Sequence, residues 1–135
     1  MSAEEKANDL LYKTVLILDD DIDIVELLAD YVEKKGFHTL IETDPWRALK
    51  IVKNKPVALV ISDYKMPGLT GDEFYQMLRV LNRAPKFIFM TGYIELFPDH
   101  LKNDDSLQIL SKPFTLHELG KVMDSVDIEN LRKSA

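Results

Sequence analysis

Five short apolar runs alternate with five amphipathic stretches along 135 residues. This alternation predicts an α/β domain whose parallel strands form a sheet with helices on both faces. Short connections and right-handed crossovers make it a three-layer (βα)5 fold. A second observation supports the same class: the apolar runs end on polar residues, which a parallel sheet gathers along one edge.

The first strand is Thr14-Val15-Leu16-Ile17-Leu18, β-branched and apolar throughout, as a strand buried on both faces requires. It ends in Asp19-Asp20-Asp21, with Asp21 read as a helix N-cap. Ile22, Val25, Leu28, Ala29 and Val32 follow as one face of a helix. Lys34 and Lys35 suit that helix's negative pole, and Gly36 suits the position just beyond it. A weaker second strand spans residues 37–42. Asp44-Pro45 reads as an N-cap followed by proline at N1, opening a helix with Ala48, Leu49, Ile51 and Val52 inward. Lys55-Pro56 ends it, and the third strand, Val57-Ala58-Leu59-Val60-Ile61, leads to Asp63.

Thr70-Gly71-Asp72-Glu73 fits a capping box, with Leu69 and Phe74 at the staple positions. Phe74, Met77, Leu78 and Leu81 line the third helix, and Pro85 stops it. Strand four, Lys86-Phe87-Ile88-Phe89-Met90, ends at Thr91-Gly92. Leu96, Phe97 and Leu101 suggest a helical stripe that Pro98 interrupts, so the fourth helix is expected to be short or distorted. Strand five is Leu107-Gln108-Ile109-Leu110-Ser111. After Lys112-Pro113 comes a second capping box, Thr115 with Glu118, stapled by Phe114 and Leu119. Leu116, Leu119, Val122, Met123 and Val126 form the inner stripe of the last helix. Residues 1–11 read as a loose lead-in, 12–129 as the domain and 130–135 as a polar tail.

The net charge of −6 disfavours nucleic-acid binding by this chain alone. No apolar run is long enough to span a bilayer, and there is no cysteine. The acidic N-terminus is no secretory signal, so the default location is the cytoplasm. His38, His100 and His117 lack metal-ligand spacing, the methionines read as core filler, and Trp46 reads as a helix residue partly covering the sheet.

Asp19, Asp20, Asp63, Thr91 and Lys112 all fall at strand ends on one edge. Three carboxylates there repel one another unless their pKa values rise or a cation sits among them. Oxygen donors alone suit Mg²⁺, and a hydroxyl and an ammonium beside them make a receptacle for phosphoryl oxygens.

Asp-Asp, then Asp-x-x-Met-Pro-x-x-x-Gly, then Thr-Gly, then Lys-Pro-Phe resembles the receiver domain of two-component response regulators. The resemblance implies a flavodoxin-like sheet of order 2-1-3-4-5. It implies Asp63 as phospho-acceptor and Asp20 as direct Mg²⁺ ligand, with Asp19 acting through water and the Lys65 backbone carbonyl completing the site. Thr91 and Lys112 would contact the phosphoryl group, and Lys112-Pro113 is expected cis. The implied partners are a histidine kinase or histidine phosphotransfer protein and a downstream protein that the sequence does not name. A phosphorylation-dependent homodimer is among the expected assemblies.

Such a domain is a regulatory acceptor that catalyses only its own phosphorylation and dephosphorylation. The tails around the domain point to a stand-alone receiver, with a fragment of a larger regulator as the alternative. The family often has Tyr or Phe three residues before the lysine, where this chain has Ile109. Asn103-Asp104-Asp105-Ser106 and Pro98 make the output face atypical, so unusual partner contacts are expected. Lys65 and Tyr93 stand where the family tunes phosphoryl lifetime, and the bulk of Tyr93 is expected to screen attacking water.

Three other readings fit the sequence less well. Asp19-x-Asp21-x-Asp23 imitates the start of a calcium loop, but Ile24 and Asp30 stand where Gly and Glu are required. A haloacid-dehalogenase-like phosphatase would use Asp19 as nucleophile, leaving Asp63 unexplained and needing an acidic pair after the lysine. A phosphorylation-independent adaptor would keep only the fold.

Overall fold

The computed structural model describes residues 2–5, 13–81, 83 and 85–126. The lead-in expected over residues 1–11, apart from 2–5, and the tail over 130–135 lie outside the described residues. Five parallel strands form one sheet: β1 (Thr14–Leu18), β2 (His38–Glu42), β3 (Leu59–Asp63), β4 (Lys86–Thr91) and β5 (Leu107–Ser111). Their order is β2-β1-β3-β4-β5, as expected.

Strand alternation divides the core in two. Val15, Ile17, Leu59, Ile61, Ile88 and Met90 face α1 (Ile22–Lys34) and α5 (Leu116–Val126). Leu16, Leu18, Val60, Phe87 and Phe89 face α2 (Pro45–Asn54), α3 (Gly71–Val80) and the four-residue α4 (Asp99–Lys102).

The helix ends follow the sequence signals. The Asp21 side chain accepts from the Asp23 N–H, and Asp44 accepts from Trp46 and Arg47 ahead of Pro45 at N1. Thr70 and Glu73 cap each other's backbone, and Thr115 and Glu118 do the same. α1 ends in a Schellman pair, Gly36 N–H to Glu33 O and Phe37 N–H to Val32 O, with Gly36 at φ +97°. An L side chain is strained at that φ, which is why glycine stands there.

Several details differ from expectation: β2 begins at His38 instead of residue 37, β4 runs on through Thr91, and Ile22, expected on the inner face of α1, is exposed. β3 begins at Leu59 instead of Val57, although Val57 and Ala58 are buried just before it. Burial is continuous there, so apolar character alone does not mark where the ladder starts. α3 buries Gly71, Phe74, Tyr75 and Leu78, while Leu81 is exposed. The Tyr75 hydroxyl explains the rotation: it bonds Asp104 and Ser106 in the β4–β5 connection, and Arg79 donates to both Tyr75 and Asp104. Burial opposes ionisation of Asp104, but hydrogen bonds from Ser106 and Tyr75 and the charge of Arg79 outweigh it and lower its pKa. Trp46, on the first turn of α2, is half exposed. On the fourth connection, the expected distortion appears as a 3-10 turn (Ile94–Leu96), Pro98 at the α4 N-cap, Phe97 and Leu101 buried, and Leu96 outside.

Candidate functional site

The strand order reverses between β1 and β3, so their carboxyl ends open the crevice where doubly wound sheets bind ligands. Asp19 follows β1 directly and Asp63 is the last residue of β3. Thr91 ends β4, and Lys112 follows β5. The fold therefore brings to one edge side chains separated by up to 93 positions in sequence, as numbering from Asp19 to Lys112 shows.

One carboxylate oxygen each from Asp19, Asp20 and Asp63 lie within 4.8 Å of one another. Asp20 is exposed, Asp63 partly buried, and Asp19 only 3% exposed. Lys112 Nζ stands 3.3 Å from Asp63 Oδ1 and 3.8 Å from Asp19 Oδ2. Asp19 Oδ1 accepts the Asp21 N–H at 3.0 Å, whereas its Oδ2 is buried without a hydrogen bond. Burial, reinforced by the charge of Asp63, pushes the Asp19 pKa up to about 6 against the bond from Asp21 and the Lys112 charge. An orphaned oxygen in an all-oxygen cluster is the donor set a hard divalent cation takes. The residues present therefore fit Mg²⁺.

The Thr91 hydroxyl accepts the Tyr93 N–H at 3.1 Å, and its carbonyl accepts the Lys112 N–H at 2.8 Å. These two bonds tie Thr91 to the loop beyond it and to the lysine. The Lys112-Pro113 peptide is cis, as expected. The Lys65 side chain is exposed, two residues beyond Asp63. Tyr93 is exposed as well.

Sequence reasoning missed the aromatic wall beside the acid. The Tyr64 ring lies 4.8 Å from Phe97 and meets Phe89 edge-on at 5.6 Å. Ile109, at the position where the resemblance leads one to look for an aromatic, packs on the same core without a ring. The signal was present in Tyr64 and Phe97, but only the fold shows that they touch.

Gly71 has a contact reason. A Cβ there would meet Phe89 Cε1 and Tyr64 Cδ2 at 2.8 Å and the Tyr64 Cα at 3.0 Å. Its N–H also donates to the Tyr64 carbonyl at 2.7 Å, closing the loop after Asp63. Gly71→Ala is expected to destabilise the fold by about 1–3 kcal/mol, because backbone as well as rings must move. Urea unfolding checks this, with Gly92→Ala, where an added Cβ meets nothing within 4 Å, as the comparison.

Fold and edge together define the class, a flavodoxin-like α/β domain with an acid-and-lysine crevice at its switch point. Within that class the chain belongs to the response regulator receiver domain family, which it matches over residues 15–124. It is 32% identical over 113 residues to sporulation initiation phosphotransferase F of Bacillus subtilis, covering 82% of this chain and 90% of that protein. It is 30% identical over 109 residues to the response regulator receiver protein CpdR of Brucella abortus, covering 79% of this chain and 90% of that one. Among solved structures, the CheY-like receiver domain protein of Methanospirillum hungatei JF-1 shares the fold with a TM-score of 0.80. That match is 23% identical and covers 91% of this chain and 98% of the other. The chain is thus a receiver domain of two-component signalling, a membership that does not favour the phosphatase reading. No described helix is long and apolar enough to cross a membrane.

Proposed function

We propose that Asp63 accepts a phosphoryl group from a phosphohistidine on a histidine kinase or histidine phosphotransfer protein, and that the product switches partner binding. The observation that carries this is the meeting of Asp19, Asp20 and Asp63 with Lys112 at the switch point of the sheet. A carboxylate oxygen of Asp63 forms the new bond to phosphorus as the bond to the histidine nitrogen breaks. Lys112, already paired with Asp63, follows the charge onto the phosphoryl oxygens. Asp20 and Asp63, with Asp19 through water and the Lys65 carbonyl, would hold Mg²⁺. Bound there, Mg²⁺ would offset negative charge on the equatorial oxygens.

The Thr91 hydroxyl can donate its proton to a phosphoryl oxygen while still accepting from Tyr93. Its movement would be carried through Tyr93 into the 3-10 turn and Phe97, toward the face formed by β4, α4 and β5. This is a regulatory role in which turnover is limited to the domain's own phosphoryl group.

Acetyl phosphate with Mg²⁺ separates the readings. A receiver gains one phosphoryl group per chain at Asp63. Continuous release of phosphate would mark a phosphatase, and no uptake at all would mark an adaptor that keeps only the fold.

A protein donor also needs a surface. Ile22 and Leu27 are 49% and 54% exposed on α1, and Leu27 lines an apolar pocket that includes Lys112 and Phe114. Exposed apolar side chains next to a charged site suit a docking partner. Leu27→Glu is expected to slow transfer from a phosphohistidine protein by about tenfold, the scale of one interface anchor. Labelling by acetyl phosphate should stay unchanged. Equal losses with both donors would show that the substitution damaged the site instead.

A further inference from the structure

Exposed large apolar side chains fall in three main groups among the described residues. Ile22 and Leu27 border the acid cluster, and Tyr93, Ile94 and Leu96 follow Thr91. The third group has no part in the chemistry proposed above. Trp46, Val80 and Leu81, with Leu49 and Met77, line a groove of about 540 Å³ between α2 and α3. Trp46 is 49% exposed and Val80 85%. Because Tyr75 is drawn inward to Asp104 and Ser106, α3 is turned so that Met77, Val80 and Leu81 are left facing outward or half-buried.

The groove is also marked by charge. The chain carries a net charge of −6, yet α2 holds Arg47, Lys50 and Lys53 and no acid. Arg47 is engaged by Glu42, while Lys50 and Lys53 line the groove with no carboxylate partner within 4.0 Å among the described residues. No acidic side chain lines it. Contiguous apolar surface edged by unpaired cations is complementary to an apolar surface edged by carboxylates.

We propose that the α2–α3 groove docks an amphipathic helix of a protein partner, apolar along one face and acidic on its flanks. A groove between two helices accepts a third through anchors spaced i, i+3 or i+4, and i+7. None of this chain's described helices presents such a stripe: α1 is acidic outside, but its exposed large apolar residues are Ile22 and Leu27 alone, and α5 has none. Among the described residues no helix of a second copy fits, so the occupant proposed is a helix of a different protein. Opposite charge at Lys50 and Lys53 would set the helix's register and raise its association rate.

Trp46 is the single tryptophan of the chain and lines the groove, so its fluorescence reports on the groove's occupancy. The probe is a tryptophan-free synthetic helix of about 18 residues, long enough to hold several turns, with leucines at those spacings and glutamates on the flanks. Titrated into the full chain, it should shift Trp46 emission to the blue and saturate in the micromolar range, the affinity of a few anchors. A counterpart with lysine for each glutamate should not bind. Lys50→Glu with Lys53→Glu, and separately Val80→Glu, should weaken binding at least about tenfold, a loss of roughly 1.4 kcal/mol.

No saturable shift, or equal binding of the two peptides, overturns the proposal. So does a free chain in which Trp46 is already shielded from acrylamide. Shielding that grows with protein concentration would assign the groove to a second copy, and concentration-independent shielding to a segment of the same chain. The peptide swap is made on the unaltered protein, so the result stands even if a variant fails to fold.

Discussion

Asp63→Asn is expected to abolish phosphoryl uptake from acetyl phosphate and from a phosphohistidine donor alike, by on the order of 10⁴-fold or more. The change is nearly isosteric, so the loss would be chemical. An amide oxygen is a poor nucleophile toward phosphorus, and the neutral side chain no longer pairs strongly with Lys112, which stands 3.3 Å from Asp63 Oδ1. Stability should move the other way. Asp63 adds repulsion to the already buried Asp19, and neutralising it relieves part of that strain. Intact-mass measurement after incubation with acetyl phosphate and Mg²⁺ reads the first effect, and urea unfolding reads the second. Phosphate still found on the D63N chain would transfer the acceptor role to Asp19 or Asp20. Lys112→Ala gives the complementary result: the nucleophile is kept, so uptake slows without disappearing.

The sheet was largely legible because each buried strand announces itself. β1 and β5 have the expected bounds, since in each an apolar run meets polar residues at both ends. β3 was harder, because burial continues from Val57 through Ser62 and nothing in the run marks the first ladder pair. The helix termini were legible for a different reason: Asp21, Asp44, Thr70 with Glu73, and Gly36 each act on a backbone group within a few residues. What stayed hidden was long-range. The rotation of α3 depends on Tyr75 reaching residues 29 and 31 positions away, which no local period encodes. The same holds for Tyr64 against Phe97. At the site, the residue types were legible but their environments were not. Asp19 and Asp20 are neighbours in sequence, yet one is buried with an orphaned oxygen and the other is exposed.

That burial gives Asp19→Asn two effects of opposite sign. The Asp19 carboxyl has an ordinary pKa of 3.8, which the fold raises to about 6, chiefly by burial. Between those two values the folded chain holds a proton that the unfolded chain has released. Folding is therefore favoured at the acid end, and this group's contribution is lost as pH rises through about 6. Above that pH the ionised carboxylate costs roughly 3 kcal/mol. In chelator-treated protein at neutral pH, Asp19→Asn should recover most of that cost, because an amide oxygen can still accept the Asp21 N–H. The same substitution removes a charge from the cluster that would hold Mg²⁺, so the stabilisation gained by adding Mg²⁺ should shrink sharply. The unaltered chain should show the reverse pattern: weakest in chelator at neutral pH, stronger toward pH 5, and stronger again with Mg²⁺ at neutral pH. Urea midpoints at two pH values, with chelator and with Mg²⁺, test all of this together. A D19N chain that is less stable than the parent in chelator at neutral pH would mean that the Lys112–Asp19 attraction outweighs the burial of the charge. One that keeps the full Mg²⁺ response would leave Asp20 and Asp63 as sufficient ligands and give Asp19 no part in the cation site.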